Sequence, residues 1–361
     1  MRVVLVANDT TFIYNLRREI LESFVQNKYE VYVLSQVLQF RKDLEAIGCN
    51  VIDIETTRRG TNPFKDVALF RRYYSALSEI QPDVVFTNSI KPNVYAGLAC
   101  QMLGIKYVPN VTGLGTAVEN SGPLQTLTTR LYRLGISGAD CIFFQNRENQ
   151  QFFVEHHMLP KCARVRLLPG SGVNLKQHCY EEYPSESGGI RFLFVGRIMR
   201  DKGIEEFLAC AEIIRQNHPN CVFDIVGGYD DESYRQIIER FEREGVIKSF
   251  GNQNDIHSFM KSHHVLIQPS YHEGLSNVLL EAAACGRPVL ASNIPGCRET
   301  FDEGISGIGF EPGNEETLVH AVEKILAKTA EERRLMGIAG RKKVEKEFDR
   351  QFVIRTYLNE I

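Results

Sequence analysis

Short apolar segments alternate with amphipathic segments along the whole chain of 361 residues. Residues 3–7 and 84–87 are largely apolar runs of strand length, whereas residues 13–26 and 204–217 have the spacing of helices that bury one side. Strands that alternate with helices form parallel sheets with helices on both faces. The alternation therefore predicts an α/β protein.

The alternation starts again near the middle of the chain. Residues 178–189 are polar, contain Pro, Ser and a Gly pair, and precede a new apolar run at 190–196. Because a chain of this length normally forms two domains, we predict Rossmann-like domains at 1–177 and 190–341, joined by a linker at 178–189. Ligands of such sheets bind beyond the carboxyl ends of the strands, so we expect the site in a cleft between the domains.

Composition excludes several other classes of protein. Hydrophobic content is 43% and charged content is 24%, as in ordinary globular proteins. No apolar run approaches the length of a membrane span, and the first residues contain too short a run for a signal peptide. We therefore expect a cytoplasmic protein. Without an export signal, the nine cysteines are expected to be reduced thiols. None of them lies in a CxxC pair, and Cys162, Cys210 and Cys221 have no histidine at ligand spacing, so we predict no zinc site.

The net charge of -3 conceals an asymmetry between the two halves of the chain. Residues 1–180 carry a net charge of +5, and residues 181–361 carry -8. Opposite charges suggest that the two domains meet different partners. A chance distribution would explain the same numbers.

Two basic residues follow the strand predicted to end at Gly196. Arg197 and Lys202 lie five residues apart in a short loop, and Gly203 precedes the next helix. A planar guanidinium and a point charge beside a helix N-terminus suit a diphosphate. The pattern predicts a phosphate site; an ordinary strand–helix turn with solvated charges is the alternative.

Two glutamates lie around the start of a helix predicted over residues 277–285. Glu273 precedes the helix, and Glu281 lies about one turn inside it in an otherwise apolar stretch. A carboxylate there needs hydrogen-bond donors, which the hydroxyls of a sugar and a ribose would supply. Alternatively, Glu281 pairs with an arginine and Glu273 caps the helix. Ser276 is the expected N-cap, and three amides are expected to converge on phosphate oxygens: those of Gly274, Leu275 and Ser276.

The chain resembles the retaining GT-B glycosyltransferases of family 4. Glu273 and Glu281, separated by seven residues, match the EX7E motif of that family, and Arg197 and Lys202 match its basic pair. The resemblance covers essentially the whole chain. It implies two Rossmann-like domains facing a central cleft, with residues 342–361 as a helix returning towards the N-terminal domain.

The resemblance also implies roles for the site residues. Arg197 and Lys202 would hold the diphosphate of a UDP-sugar, Glu281 the ribose and Glu273 the sugar, with no metal or other cofactor. The catalytic residues would be Glu273, Arg197 and Lys202. The donor-binding residues would be Gly196, Arg197, Lys202, Gly227, Asn252, Glu273, Gly274, Leu275, Ser276 and Glu281.

Residues 87–93, 110–115, 169–174 and 223–228 resemble a narrower group, the bacterial transferases that build undecaprenyl-diphosphate-linked glycans and capsules. This implies a lipid-linked saccharide acceptor at the inner membrane face. Many family members carry a histidine in the N-terminal domain, but no histidine precedes His156 here, so Asn88 or Lys91 would replace it. The expected acceptor-side residues are Thr11, Phe12, Asn88, Lys91, Gly113 and Gly115.

Residues 58–74 contain five basic residues, one acid and interleaved aromatics. This pattern fits an anionic membrane surface, and we expect peripheral membrane contact and no nucleic-acid binding. A solvated helix with inward aromatics is the alternative. For the whole protein, the competing functions are transfer to a soluble acceptor and non-catalytic binding of a nucleotide sugar. A dehydrogenase is disfavoured because neither first strand is followed by GxGxxG.

Overall fold

The computed structural model describes residues 1–56, 62–113 and 123–361. The chain forms two compact units. Met1–Ser171 and Gln351–Ile361 make up the N-terminal unit, and Gly172–Arg350 make up the C-terminal unit. The segment predicted as a linker, residues 178–189, thus belongs to the C-terminal unit.

The N-terminal unit contains a seven-stranded sheet in which all recorded strand pairs are parallel. Its spatial order is β3-β2-β1-β4-β5-β6-β7. The strands are β1 (Arg2–Asp9), β2 (Glu30–Gln36), β3 (Cys49–Asp53), β4 (Val84–Asn88), β5 (Lys106–Val111), β6 (Cys141–Phe144) and β7 (Arg164–Leu167). The helices are α1 (Thr10–Gln26), α2 (Arg41–Ile47), α3 (Pro63–Ile80), a π-helical turn (Pro92–Ala96) running into α4 (Gly97–Leu103), α5 (Pro123–Ile136) and α6 (Arg147–Glu155).

The C-terminal unit repeats this architecture with a six-stranded parallel sheet of order β10-β9-β8-β11-β12-β13. The strands are β8 (Arg191–Val195), β9 (Val222–Val226), β10 (Lys248–Ser249), β11 (Val265–Gln268), β12 (Val289–Ser292) and β13 (Gly307–Phe310). The helices of eight or more residues are α7 (Ile204–Asn217), α8 (Arg235–Arg243), α10 (Asn277–Ala284), α11 (Glu315–Leu326) and α12 (Ala330–Glu347), and the shorter α9 is Ile256–Ser262.

The prediction of two Rossmann-like parallel-sheet domains is confirmed. Apolar strands such as β8 and β12 are almost fully buried because helices cover both faces of the sheet. Three strands were not predicted: β7, whose residues are mostly exposed; β10, which has two residues; and β13, which alternates Gly with apolar residues. None of them has a continuous apolar run of strand length.

Residues 342–361 were predicted as one helix, but they belong to two. α12 ends at Glu347, because Phe348 has non-helical backbone angles and Arg350 donates its amide to the Val173 carbonyl. A second helix, Arg350–Leu358, follows. Its Tyr357 packs on Phe86 and Phe143 in the core of the N-terminal unit.

Candidate functional site

The site begins at the carboxyl edge of the C-terminal sheet. The ends of β8, β9, β11 and β12 lie along one edge because these strands are parallel neighbours. The loops that follow them are Gly196–Arg197, Gly227–Gly228, the loop with Glu273, and residues 293–296, and the first three contain predicted donor-binding residues. The fold therefore gathers most of the predicted donor-binding residues at one edge.

Lys202 and Glu273 form the central contact of this edge. The Lys202 Nζ lies 2.6 Å from Glu273 Oε1, and the two side chains are 19% and 14% exposed. The same carboxylate oxygen accepts hydrogen bonds from Ser270 Oγ at 2.9 Å and from Gln268 Nε2 at 3.1 Å. Glu273 is thus held by donors from its own loop and from the end of β11. Ser270 and Gln268 were not predicted as site residues, although both lie just before Glu273.

Close backbone packing holds these loops together. Gly203 has a φ of 73°, and a Cβ there would lie 2.0 Å from the Pro269 carbonyl oxygen. The Tyr271 amide donates to the Asp201 carbonyl at 3.0 Å. The loop carrying Lys202 is therefore fixed against the loop carrying Glu273, and only glycine fits at residue 203.

A second close approach joins the loops after β8 and β9. Gly227 has a φ of 152°, and a Cβ there would lie 1.7 Å from the Gly196 carbonyl oxygen. Beside it, Arg197 is 49% exposed and its Nη1 lies 2.9 Å from Asp230 Oδ1. Arg197 thus presents its guanidinium at the surface next to a carboxylate that the sequence analysis did not include.

One of the three amides predicted to bind phosphate at the start of α10 already has a partner. Ser276 occupies the N-cap position of α10, but its side chain makes no capping hydrogen bond. Its amide donates to the Gly296 carbonyl at 2.8 Å, so the expectation that this amide is free was wrong. The loop after β12 satisfies it, a pairing between distant residues that local spacing could not reveal. Gly274 and Leu275 lie in the same loop.

Glu281 lies in the middle of α10. Burial raises the pKa of its carboxyl group to about 7, and the positive charge of Arg350 opposes that shift. The carboxylate therefore titrates near neutral pH. Farther along the edge, Asn252 is exposed in the loop after β10, and its amide group lies close to Gly228.

The residues predicted to face the acceptor have different surroundings. Asn88 is buried at the end of β4, where its Oδ1 accepts a hydrogen bond from the Arg17 Nε at 3.1 Å. Lys91 Nζ forms an ion pair with Asp66 at 3.0 Å. Thr11 and Phe12 lie half-buried in the first turn of α1.

The remaining acceptor-side residues lie after β5. Gly113 has a φ of 157°. Gly115 lies outside the described residues. Arg17 was not predicted as a site residue; it is fully buried and also donates to Ser171 Oγ at 2.8 Å. Its position in α1, far in sequence from both partners, gave no signal.

The basic and aromatic stretch divides into buried and exposed parts. Tyr73 is fully buried, whereas Phe64 is 88% and Val67 is 52% exposed at the start of α3. Arg72 forms an ion pair with Glu55 at 3.3 Å. Arg58 and Arg59 lie outside the described residues. None of the helices in the described part of the chain has the length and hydropathy needed to cross a bilayer.

Comparisons with known proteins identify the class. Residues 180–343 match the family described as "Glycosyl transferases group 1", and residues 2–146 match the family "Glycosyl transferase 4-like". The Anabaena Alr3699/HepE structure in complex with UDP and glucose has a TM-score of 0.80 at 15% identity, over 99% of this chain and 98% of that chain. Sucrose-phosphate synthase from Thermosynechococcus elongatus has a TM-score of 0.77 at 19% identity, over 99% and 98%. The fold is therefore GT-B.

The chain belongs to the glycosyltransferases that combine a glycosyl transferase 4-like domain with a group 1 domain. It is 25% identical, over 90% of this chain and 89% of the relative, to N,N'-diacetylbacillosaminyl-diphospho-undecaprenol alpha-1,3-N-acetylgalactosaminyltransferase of Campylobacter jejuni. It is also 25% identical, over 75% of this chain and 73% of the relative, to UDP-Gal:alpha-D-GlcNAc-diphosphoundecaprenol alpha-1,3-galactosyltransferase of Escherichia coli.

Proposed function

We propose that the protein is a retaining glycosyltransferase that moves a hexose or N-acetylhexosamine from a UDP-sugar to a polyprenyl-diphosphate-linked saccharide, in cell-surface polysaccharide or glycan assembly. The observation that carries the proposal is the contact of Lys202 with Glu273 at the carboxyl edge of a parallel sheet. Support for the acceptor comes from the two relatives, whose names describe undecaprenyl-diphosphate-linked substrates.

The proposal assigns the diphosphate to the two cations of this edge. Arg197 and Lys202 now face the carboxylates of Asp230 and Glu273. A diphosphate offers the same kind of oxygen acceptor with more charge, so it would compete with both carboxylates. Displacing Lys202 from Glu273 would leave the Glu273 oxygen ready to accept hydrogen bonds from the sugar hydroxyls. Donor binding would thus exchange one set of charge-assisted hydrogen bonds for another.

In the proposed reaction, the bond between the anomeric carbon and the donor diphosphate breaks, and the acceptor hydroxyl adds on the same face. The acceptor proton passes to the leaving diphosphate oxygen, so no protein nucleophile is required. Arg197 and Lys202 would stabilise the charge that grows on that oxygen. Because two fixed cations supply this stabilisation, the proposal includes no metal and no other cofactor.

The nucleoside end would lie farther along the same edge. Glu281 would accept hydrogen bonds from the ribose hydroxyls, and Asn252 would help to frame the base. Gly196 and Gly227 would allow the donor to approach the backbone, as would Gly274 and Leu275. Ser276 would contact the donor through its side chain, since its amide is already bonded to Gly296.

The acceptor would meet the N-terminal unit at the inner face of the membrane. Phe64 and Val67 at the start of α3 expose apolar surface beside the basic residues Lys65 and Arg71. Exposed apolar residues flanked by basic ones suit an interface rich in anionic lipids. Peripheral contact through residues 58–74 would bring the protein to a lipid-linked acceptor.

The proposal is tested by screening UDP-sugars for UDP release with polyprenyl-diphosphate-linked saccharides, followed by NMR of the product anomer. Release that requires a lipid-linked acceptor, persists with a metal chelator and yields the donor's own anomeric configuration is expected. Release with water-soluble sugars alone would indicate a soluble acceptor. Tight UDP-sugar binding with no transfer or hydrolysis would contradict enzymatic function.

A further inference from the structure

A cluster of histidine and cysteine side chains lies at the C-terminal end of α10 in the C-terminal unit. Its members are His178, His257 and Cys285, and the ligand atoms they offer all lie within 4.8 Å of one another. Cys285 is fully buried, and His178 is 7% exposed. The sequence prediction of no zinc site rested on the absence of CxxC pairs and of histidines at ligand spacing from three of the cysteines. This cluster escaped it because its members come together only in the fold, with Cys285 lying 28 residues from His257.

The ligand atoms of the cluster are only slightly farther apart than the ligands of a bound zinc ion. Cys285 Sγ lies 3.2 Å from the His257 Nδ1, and the rings of His178 and His257 meet edge to face with centroids 5.8 Å apart. Ligand atoms around a tetrahedral zinc ion, at about 2.0–2.3 Å from the metal, lie about 3–4 Å from one another. Movements of about 1 Å would therefore bring all three atoms onto one ion.

The second ring nitrogen of His257, Nε2, already has a carboxylate partner. This Nε2 atom lies 3.0 Å from Glu181 Oε1, and the other oxygen of that carboxylate lies 3.0 Å from Lys261 Nζ. A metal-bound histidine typically donates its second ring N–H to a carboxylate, which fixes the tautomer that leaves the first nitrogen to the metal. Glu181 thus places the lone pair of His257 Nδ1 towards Cys285.

The backbone around the cluster is fixed from a third element. Arg341 in α12 donates to the carbonyls of His178 at 3.0 Å and of Ala284, next to Cys285, at 2.8 Å. The Glu181 amide donates to the Cys285 carbonyl at 3.3 Å. The segments that carry the ligands are therefore held together before any ion binds, which lowers the cost of forming a site.

We propose that His178, His257 and Cys285 form a zinc site, with Glu181 as the positioning residue for His257. Two imidazoles and a thiolate are the ligands that zinc prefers, and water would complete a tetrahedron. Cys285 follows the last residue of α10, about 12 Å from the start of that helix, where the donor-side loop lies. The ion would fasten the segment around His178 to α9 and to the end of α10, a structural role independent of the proposed glycosyl transfer.

The test uses the full chain freed of metal by a chelator and then titrated with Zn²⁺ alone. We expect about one zinc per chain by elemental analysis and a higher melting temperature with zinc, since binding to the folded state stabilises it. Co²⁺ should give a thiolate-to-metal charge-transfer band. Cys285→Ser, His257→Gln and His178→Gln should each lose the ion. Glu181→Gln should weaken zinc binding about 10–100-fold while keeping the stoichiometry.

Cys221→Ser is the matched control, because Cys221 is a buried cysteine of the same unit outside the cluster. It should bind zinc as the wild type does. If a ligand variant fails to fold, the cobalt spectrum of the Cys179→Ser variant decides, because Cys179 Sγ lies 3.7 Å from His257 Nε2 and is the other thiol near this histidine among the described residues. A wild type that takes up no zinc at micromolar free ion would overturn the proposal, as would a cobalt complex without the thiolate band or zinc that all three ligand variants retain.

Discussion

Two lysine–carboxylate pairs, one in each unit, have nearly the same local chemistry. Lys202 and Glu273 are 2.6 Å apart with 19% and 14% exposure, and Lys91 and Asp66 are 3.0 Å apart with 15% and 17% exposure. The first pair joins two loops at the carboxyl edge of the C-terminal sheet. The second joins the start of the π-helical turn, just after β4, to α3 in the N-terminal unit. The first pair lies among the predicted donor-binding residues, whereas Lys91 of the second pair is a predicted acceptor-side residue.

The carboxyl edges of the two sheets differ in how far their polar side chains are exposed. At the N-terminal edge, Asn88 and Asn110 are both buried. Asn88 accepts a hydrogen bond from Arg17, and Asn110 donates one to the Tyr357 hydroxyl. At the C-terminal edge, Arg197 is half-exposed, and Lys202 and Glu273 are partly so. Polar groups satisfied inside the protein lend rigidity, whereas partly exposed ones can exchange their partners for a ligand.

The largest effect is expected from Glu273→Gln. Sugar transfer should fall about 100–1,000-fold, because a neutral amide stabilises the reacting sugar less well. UDP affinity should stay the same or rise a few-fold, since Lys202 would lose its competing carboxylate. Activity assays and calorimetry with UDP check the two effects separately.

The exposed Glu244 at the end of α8 provides the control, and Glu244→Gln should change neither quantity. Wild-type transfer by the Glu273 variant would remove that residue from the reacting centre.

Replacing each of the two lysines with alanine tests whether they differ in their effect on UDP binding. Lys202→Ala should weaken UDP binding about 10–100-fold, the loss of a charge-assisted hydrogen bond or two. Lys91→Ala should leave UDP affinity within about twofold but lower the melting temperature by about 2–4 °C, because Asp66 would lose its partner. If both substitutions weakened UDP binding equally, the proposed difference in function between the two pairs would be wrong.

A smaller effect is expected on membrane association. Replacing Phe64 and Val67 together by serine should reduce binding to vesicles containing phosphatidylglycerol about tenfold, because exposed apolar area is lost from the contact. Ile305→Ser, at an exposed apolar residue of the C-terminal unit, is the control. Co-sedimentation measures both. Equal binding of the double variant and the wild type would place the membrane contact elsewhere.

The smallest effect is a pH dependence. With the pKa of Glu281 raised to about 7, this carboxyl group is mostly protonated at pH 6 and mostly ionised at pH 8. Ribose hydroxyls donate to the ionised form, so UDP affinity should rise up to about tenfold between these pH values. The Glu281→Gln variant should lack that part of the rise. The difference between the two profiles removes the ligand's own ionisation, and identical profiles would contradict the ribose role.

The raised pKa of Glu281 also predicts how the stability of the protein changes with pH. A carboxyl group whose folded pKa is raised holds its proton in the folded state after the unfolded chain has lost it. Stability therefore falls as pH increases from about 4.5 to above 7. Glu281→Gln should raise the melting temperature by a few degrees at pH 8 and by less at pH 5, which calorimetry in both buffers would measure.

Much of the fold could be predicted from the sequence. The run that forms β8 and the spacing that forms α7 reflect periods of a few residues, and these are local properties of the chain. The contact of Lys202 with Glu273 was also foreseeable, because both follow neighbouring parallel strands. The two-residue β10 and the exposed β7 could not be foreseen, since only pairing with a neighbour makes them strands.

Local sequence patterns were enough to predict the two parallel-sheet units and the edge at which Arg197, Lys202 and Glu273 gather. Three other contacts could be seen only in the folded chain: the amide of Ser276 donates to Gly296, Lys91 pairs with Asp66, and Cys285 contacts His257. The periods of strands and helices depend on neighbouring residues, whereas these partners come together because segments far apart in the chain pack against each other.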